Sequence, residues 1–222
     1  MKKFILLFAW TTILFACNND ANQEGNNTDD SNAVEEAEGI ETSPNAFLQN
    51  SFPTLFSFYK NSDSSFNINH FEEAQTTAID NFDVYKIDTI QMREFLPYLV
   101  YNSDSTLAID LYSYNYVLTK RDGKINADAG GPDTEVALID VKNNSKKRIF
   151  YSGPAINLLE AKWIDDVTVM LAGIEVGEET RKKPIVLKAN IKTNNIKWYV
   201  YSKSIETDVS NYVEENVMNK LN

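Results

Sequence analysis

Between Glu135 and Tyr201 the chain repeatedly alternates short apolar runs with turn residues, and this rhythm limits the fold more than any other feature. Val136–Val141 is apolar on both faces, as a central strand would be. Lys142-Asn143-Asn144-Ser145 turns the chain and Arg148–Tyr151 returns it. Beyond Gly153-Pro154, Leu159, Ala161 and Trp163 fall on one face, with Glu160 and Lys162 opposite. Asp165-Asp166 turns into Val167, Val169 and Leu171, and a charged segment then leads to Ile185, Leu187, Ala189 and Ile191. Thr193-Asn194-Asn195 turns once more into Ile196, Trp198 and Val200. Period-two alternation closed by Asn, Asp and Gly turns predicts an antiparallel meander.

The rest of the chain adds to that core. Val84–Ile90 and Phe95–Tyr101 read as strands, Pro97 placing the second at an edge or bend. Leu107–Leu118 reads as one long strand, with Leu107, Ile109 and Leu111 on one face and Tyr112, Tyr114 and Tyr116 on the other. Residues 61–82 read as loop with short extended pieces, and 119–134 as an inserted loop containing Gly123, Gly130, Gly131 and Pro132. Helical spacing appears twice. Phe47, Leu48, Phe52, Leu55, Phe56 and Tyr59 form one stripe, with Pro53 suited to a first turn. Val209, Tyr212, Val213, Val217 and Leu221 form another, capped by Thr207 or Asp208. The expected fold is mainly β, an antiparallel meander packed by N- and C-terminal helices. With 12 Phe, 11 Tyr and 43% hydrophobic residues, the chain can fill its core.

The N-terminus carries an address. Lys2 and Lys3 precede an apolar run, Phe4–Phe15, which is shorter than the roughly 20 residues a spanning helix needs. It ends in Leu14-Phe15-Ala16-Cys17, which resembles the lipobox of bacterial lipoproteins. That resemblance implies cleavage after residue 16 and acylation (diacylglycerol and palmitate-like chains) at Cys17, and so an outer-membrane lipid anchor. The following Asn- and acid-rich residues are similar to tethers of Bacteroidota surface lipoproteins. Residues 18–45 hold eight acids and no Lys or Arg, and are expected to be disordered. The domain plan is therefore a signal peptide (1–16), a lipidated Cys17 with an acidic tether (17–45), and one mostly-β domain (46–222).

A second resemblance lies in the meander. Leu159–Asp166 running into Val167–Ala172 is similar to the repeat of Tol-type β-propellers, in which an aromatic strand meets a tight turn and then an apolar strand. Asn102–Ser105 with Leu107–Asp110 resembles a second copy. The copies stand about 60 residues apart, whereas such repeats recur at ~40–45. Residues 46–222 are also too short for the four or more blades of a closed ring. The expectation is at most two blade-like sheets, and the resemblance implies binding rather than catalysis.

Composition excludes several functions. One Cys and one His rule out intrachain disulfides and four-ligand Cys/His zinc sites, and leave His70 alone to serve a Ser or Cys nucleophile. A formal charge of -11 opposes phosphate-backbone binding, so no nucleic-acid partner is expected. The basic run Lys146–Arg148 reads as a solvated strand start. Asp122, Asn126, Asp128 and Asp133 supply oxygen ligands of the kind Ca²⁺ takes, although no EF-hand pattern is present and a solvated loop carries the same residues. Tyr112, Tyr114 and Tyr116, with Tyr199 and Tyr201, offer rings for a glycan or an envelope-protein partner, unless helices cover that face. The sequence thus points to a non-enzymatic binding or assembly module at the cell envelope. The alternatives are a carboxylate-dependent glycan hydrolase and a Ca²⁺-dependent carbohydrate binder.

Overall fold

The computed structural model describes residues 45–80, 82–88, 92–121, 124–177 and 181–218. The expected leader, Cys17 and the expected tether up to residue 44 lie outside them. In chain order the helices are α1 (Ala46–Ser51), α2 (Pro53–Ser62) and α3 (Val209–Val213). The strands are β1 (Phe71–Ala78), β2 (Val84–Lys86), β3 (Val100–Tyr101), β4 (Leu107–Asp110), β5 (Tyr116–Arg121), β6 (Lys124–Ala129) and β7 (Thr134–Asp140). They continue with β8 (Ser145–Ser152), β9 (Ile156–Trp163), β10 (Thr168–Val176), β11 (Arg181–Asn190), β12 (Asn195–Tyr201) and β13 (Ile205–Glu206). The mainly-β expectation is met by two open antiparallel sheets flanked by the terminal helices. A six-stranded sheet runs β1-β12-β11-β10-β9, with β13 on β11, and a five-stranded sheet runs β2-β8-β7-β4-β3.

The two sheets share one plan. Each holds a four-strand meander, β3-β4-β7-β8 or β9-β10-β11-β12, and each gains a strand from earlier in the chain on its last edge. Their registers superpose at the turns: Leu107 opposes Asp140 as Thr168 opposes Asn190, and Asp140 opposes Ser145 as Asn190 opposes Asn195. Both four-residue turns end on a left-handed asparagine, Asn144 at φ 49° and Asn194 at φ 56°, a conformation that asparagine tolerates better than most side chains. In both turns the first side chain accepts an amide three residues on, Asp140 from Asn143 and Asn190 from Thr193.

Strand alternation then sorts the core into layers. On β10, Val169 and Leu171 face the other sheet, while Met170, Ala172 and Ile174 face the helices. Leu48, Phe52, Leu55, Phe56 and Tyr59 of the N-terminal helices are at most 6% exposed there, and burial of each such side chain contributes about 1.5–3 kcal/mol. Between the sheets lie Ile109, Val136, Ile149, Phe150, Ile185, Leu187 and Ile196. On the far side of the five-stranded sheet, Met92, Phe95 and Leu99 pack on Ala108 and Ile139. Register-equivalent positions look the same way in both sheets. Val169 and its counterpart Ala108, or Ala189 and Ile139, each face away from the helical side. The sheets are therefore stacked as successive copies and not as a facing pair. Trp163 of β9 donates its indole N–H to Val100 O of β3 at 2.7 Å and ties the two inner edges together.

Several expectations are corrected. The stretch 107–118 is not one strand, because polar side chains fold it over. The Asp110 carboxylate accepts the amides of Tyr112 and Ser113, and Asn115 bonds Leu111 O and both backbone groups of Glu135. Residues 119–134 form most of a hairpin, β5–β6, paired from Tyr116↔Ala129 to Arg121↔Lys124. Within 61–82, β1 is an eight-residue edge strand whose outward residues hide the alternation. Residues 96–98 are a 3-10 turn, leaving only Val100–Tyr101 as strand, and the described strand near 84–90 spans 84–86. As expected, a helix opens at Pro53, and the N-terminal stripe divides at Phe52 because Pro53 lacks the amide that would continue α1. Leu159 does not share a face with Ala161 and Trp163: it is the extra residue of a bulge where Ala172↔Glu160 is followed by Gly173↔Leu158. Gly173 is required at that point, because a Cβ would lie 2.0 Å from Asn157 O. Tyr199 and Tyr201 face the helices, with Tyr201 fully buried.

Candidate functional site: a charged pocket on the five-stranded sheet

The outward face of the five-stranded sheet departs from its apolar counterpart. Asp110 sits where the other sheet has Leu171, Glu135 where it has Ile185, Lys146 where it has Ile196 and Arg148 where it has Trp198. The side chains of Asp110 and Glu135 are each 3% exposed and that of Lys146 is 10%. Ala137 lies between Asp110 and Arg148, and its small side chain leaves them room that Leu187 would fill.

The four charges form a closed set. Lys146 Nζ lies 2.8 Å from Asp110 Oδ2, donates to Ser113 Oγ at 2.9 Å and stands 3.8 Å from Glu135 Oε1. Arg148 reaches Glu135 Oε2 through Nη2 at 2.5 Å and Nε at 2.7 Å. The Ser113 hydroxyl donates to Asp110. The Arg148 guanidinium lies over the rings of Phe82 and Tyr151, 5.1 and 4.8 Å from their centres. Partial burial pulls the Arg148 pKa down, but the Glu135 hydrogen bond and charge outweigh it and hold the group above its ordinary value.

Above this floor is a pocket of about 430 Å³ lined by Ser113, Glu135, Lys146 and Arg148. Tyr85 and Tyr114 form its rim, 47% and 42% exposed. Tyr114 meets the equally exposed Tyr151 edge-on at 6.2 Å. The Tyr151 hydroxyl donates to Asp133 at 2.5 Å, and that bond holds its phenol up at about 12.

The turn after Asp110 separates this pocket from a second cleft, of about 660 Å³, which Tyr116, Asn126, Asp128 and Asp133 line with Asn157 and Glu214. Three of the four predicted calcium ligands thus reach one cleft, while Asp122 lies outside the described residues. Among the described residues, no three His, Cys, Asp or Glu side chains come together as a metal-ligand set. The three predicted ring-binding tyrosines divide: Tyr112 and Tyr116 meet edge-on at 6.0 Å, and Tyr114 stands apart from them. Tyr112 and Tyr116 pack against the cluster around Met92 and Phe95, their phenols pushed up mainly by burial, and only Tyr114 reaches the charged pocket's rim. His70 is bound up with the core, its Nδ1 3.1 Å from the Tyr201 hydroxyl.

The sequence reading missed Asp110, Ser113, Lys146 and Arg148. The signal was present: Asp110 follows Leu107-Ala108-Ile109, and Lys146 and Arg148 share one strand face ahead of Ile149 and Phe150. A charge inside an apolar strand needs a partner. No protein-family model, curated protein or solved structure matches the chain.

Proposed function

We propose that this chain is a lipid-anchored cell-envelope protein, held at the outer membrane through Cys17. In this reading it acts as a non-enzymatic binding or assembly module whose ligand site is the charged pocket. The observation that supports binding is the pairing of the pocket's charges. Asp110 is 2.8 Å from Lys146, Glu135 is 2.5 Å from Arg148, and Ser113 is hydrogen-bonded on both sides. A compensated polar floor under exposed rings suits recognition.

A two-carboxylate glycan hydrolase needs both acids on one substrate, roughly 5–10 Å apart. Of the three acids near one another in sequence, Asp128 and Asp133 line one cleft and Glu135 lines the other pocket. The calcium-dependent reading retains one supporting observation, the shared cleft of Asn126, Asp128 and Asp133. A calcium titration of the full chain that gives no heat would remove it.

Membrane fractionation tests the anchor. Cys17→Ala, or inhibition of lipoprotein signal peptidase, should move the protein out of the membrane fraction, and unchanged fractionation would refute the lipid attachment. Capture from envelope extracts tests the site. Tyr114→Ala, at an exposed rim position, should lose the partner that the wild-type chain retains.

A further inference from the structure

We infer that the charged pocket takes a neutral, polyhydroxylated ring, a hexose-like unit of a glycan, and does so without a metal. This inference rests on the pocket being the binding site and adds the chemistry of its occupant.

Three properties of the pocket converge on that class. Its floor places acceptors and donors side by side: Glu135 Oε1 is 3.8 Å from Lys146 Nζ, beyond hydrogen-bond reach, and Ser113 and the partly exposed Arg148 guanidinium flank the pair. Neighbouring hydroxyls of a sugar match such a floor, since each hydroxyl donates to a carboxylate and accepts from a cation at once. An amide group separates its donor from its acceptor and cannot answer both through one atom.

The charges around the pocket are balanced. Lys86, Lys146 and Arg148 face Asp88, Glu135 and the underlying Asp110. A phosphate or sulfate would meet the carboxylates, and a polyamine would meet the cations. An apolar ligand would strip water from the partly exposed Arg148 guanidinium and give nothing back.

Finally, Tyr85 and Tyr114 stand exposed at the rim, and Tyr151 braces Tyr114 edge-on. Tyrosine offers an apolar ring face and a wet hydroxyl, which fits the C–H face of a sugar above a polar floor.

The test is saturation-transfer NMR and titration calorimetry on the full-length chain in detergent. The probes are neutral oligomers of glucose, mannose, galactose and N-acetylglucosamine, with sulfate, spermidine and a mixed tripeptide set as comparators. The expected result is binding of at least one neutral sugar, with saturation at its ring C–H protons, unaffected by EDTA. Tyr114→Ala should weaken that binding at least about tenfold with the melting temperature unchanged. If only sulfate, spermidine or peptide binds, and Tyr114→Ala abolishes it, the sugar assignment is overturned while the pocket stands as a binding site. Sugar binding that neither Tyr114→Ala nor Tyr85→Ala alters places the ligand elsewhere and overturns both. No binding by any probe likewise overturns both.

Discussion

Leu171, Ile185, Ile196 and Trp198 of the six-stranded sheet hold the register positions that Asp110, Glu135, Lys146 and Arg148 hold in the five-stranded one. The first four press against a neighbouring sheet, and Leu171, Ile185 and Ile196 are no more than 3% exposed. The second four are almost as deeply placed, apart from Arg148, yet lie beneath a pocket. One backbone plan therefore accepts either filling, and the charged version is not imposed by the fold. Desolvation offsets most of what buried ion pairs gain from attraction, so stability alone does not explain the quartet. A buried charged quartet beneath an open pocket is placed for binding.

The largest effect should come from breaking the charged set on one side. Lys146→Met leaves Asp110 buried without its cation and should cost about 3–5 kcal/mol in urea unfolding. A loss under about 1 kcal/mol would mean that water already reaches the cluster. Replacing only the Glu135–Arg148 pair with its counterparts (Glu135→Ile with Arg148→Trp), which keeps Asp110 on Lys146 and on the turn amides it accepts, should be neutral or stabilising by about 1–4 kcal/mol. That sign reversal is what the comparison requires. If the double variant were as unstable as Lys146→Met, the two faces would not be interchangeable at these positions.

The smallest effect concerns the paired turns. Asp140 and Asn190 play the same role, but only Asp140 titrates. The backbone and side-chain hydrogen bonds from Asn143 hold the Asp140 carboxyl below its ordinary value. A lowered folded-state pKa gives stability that is present above the unfolded value, ~3.9, and lost as pH falls through the lowered one. The Asn143 amide should therefore shift in NMR spectra as acid is added, while the Thr193 amide stays still. Asp140→Asn should silence the Asn143 response, and equal movement of both amides would show that the turns respond to something shared.

How much of this was readable in the sequence depended on which interaction set each element. β7 to β12 were legible because alternation and Asn-rich turns both specify them, and so were the two helical stripes that cover one sheet. The bulge at Leu159 was not, because it depends on Gly173 approaching Asn157 across a strand pair. Nor was the break after Asp110, where Asp110 and Asn115 use side chains to bond backbone groups that a strand would have paired. The same distinction governs the site. Tyr112, Tyr114 and Tyr116 alternate perfectly on paper, but the turn keeps Tyr112 against Tyr116 and sends Tyr114 to a different pocket. Asp110, Glu135 and the Lys146 and Arg148 pair come from three different strands and meet only through strand register.

The same-sense stacking of the two sheets also bears on association. A facing pair would satisfy itself, whereas two successive copies leave a different face open at each end. Here the N-terminal helices cover one end and the Met92–Leu99 segment the other. A contact between one end and the opposite end of an identical molecule would be head-to-tail, a geometry that does not close on itself. The two flanking pieces occupy both of those faces.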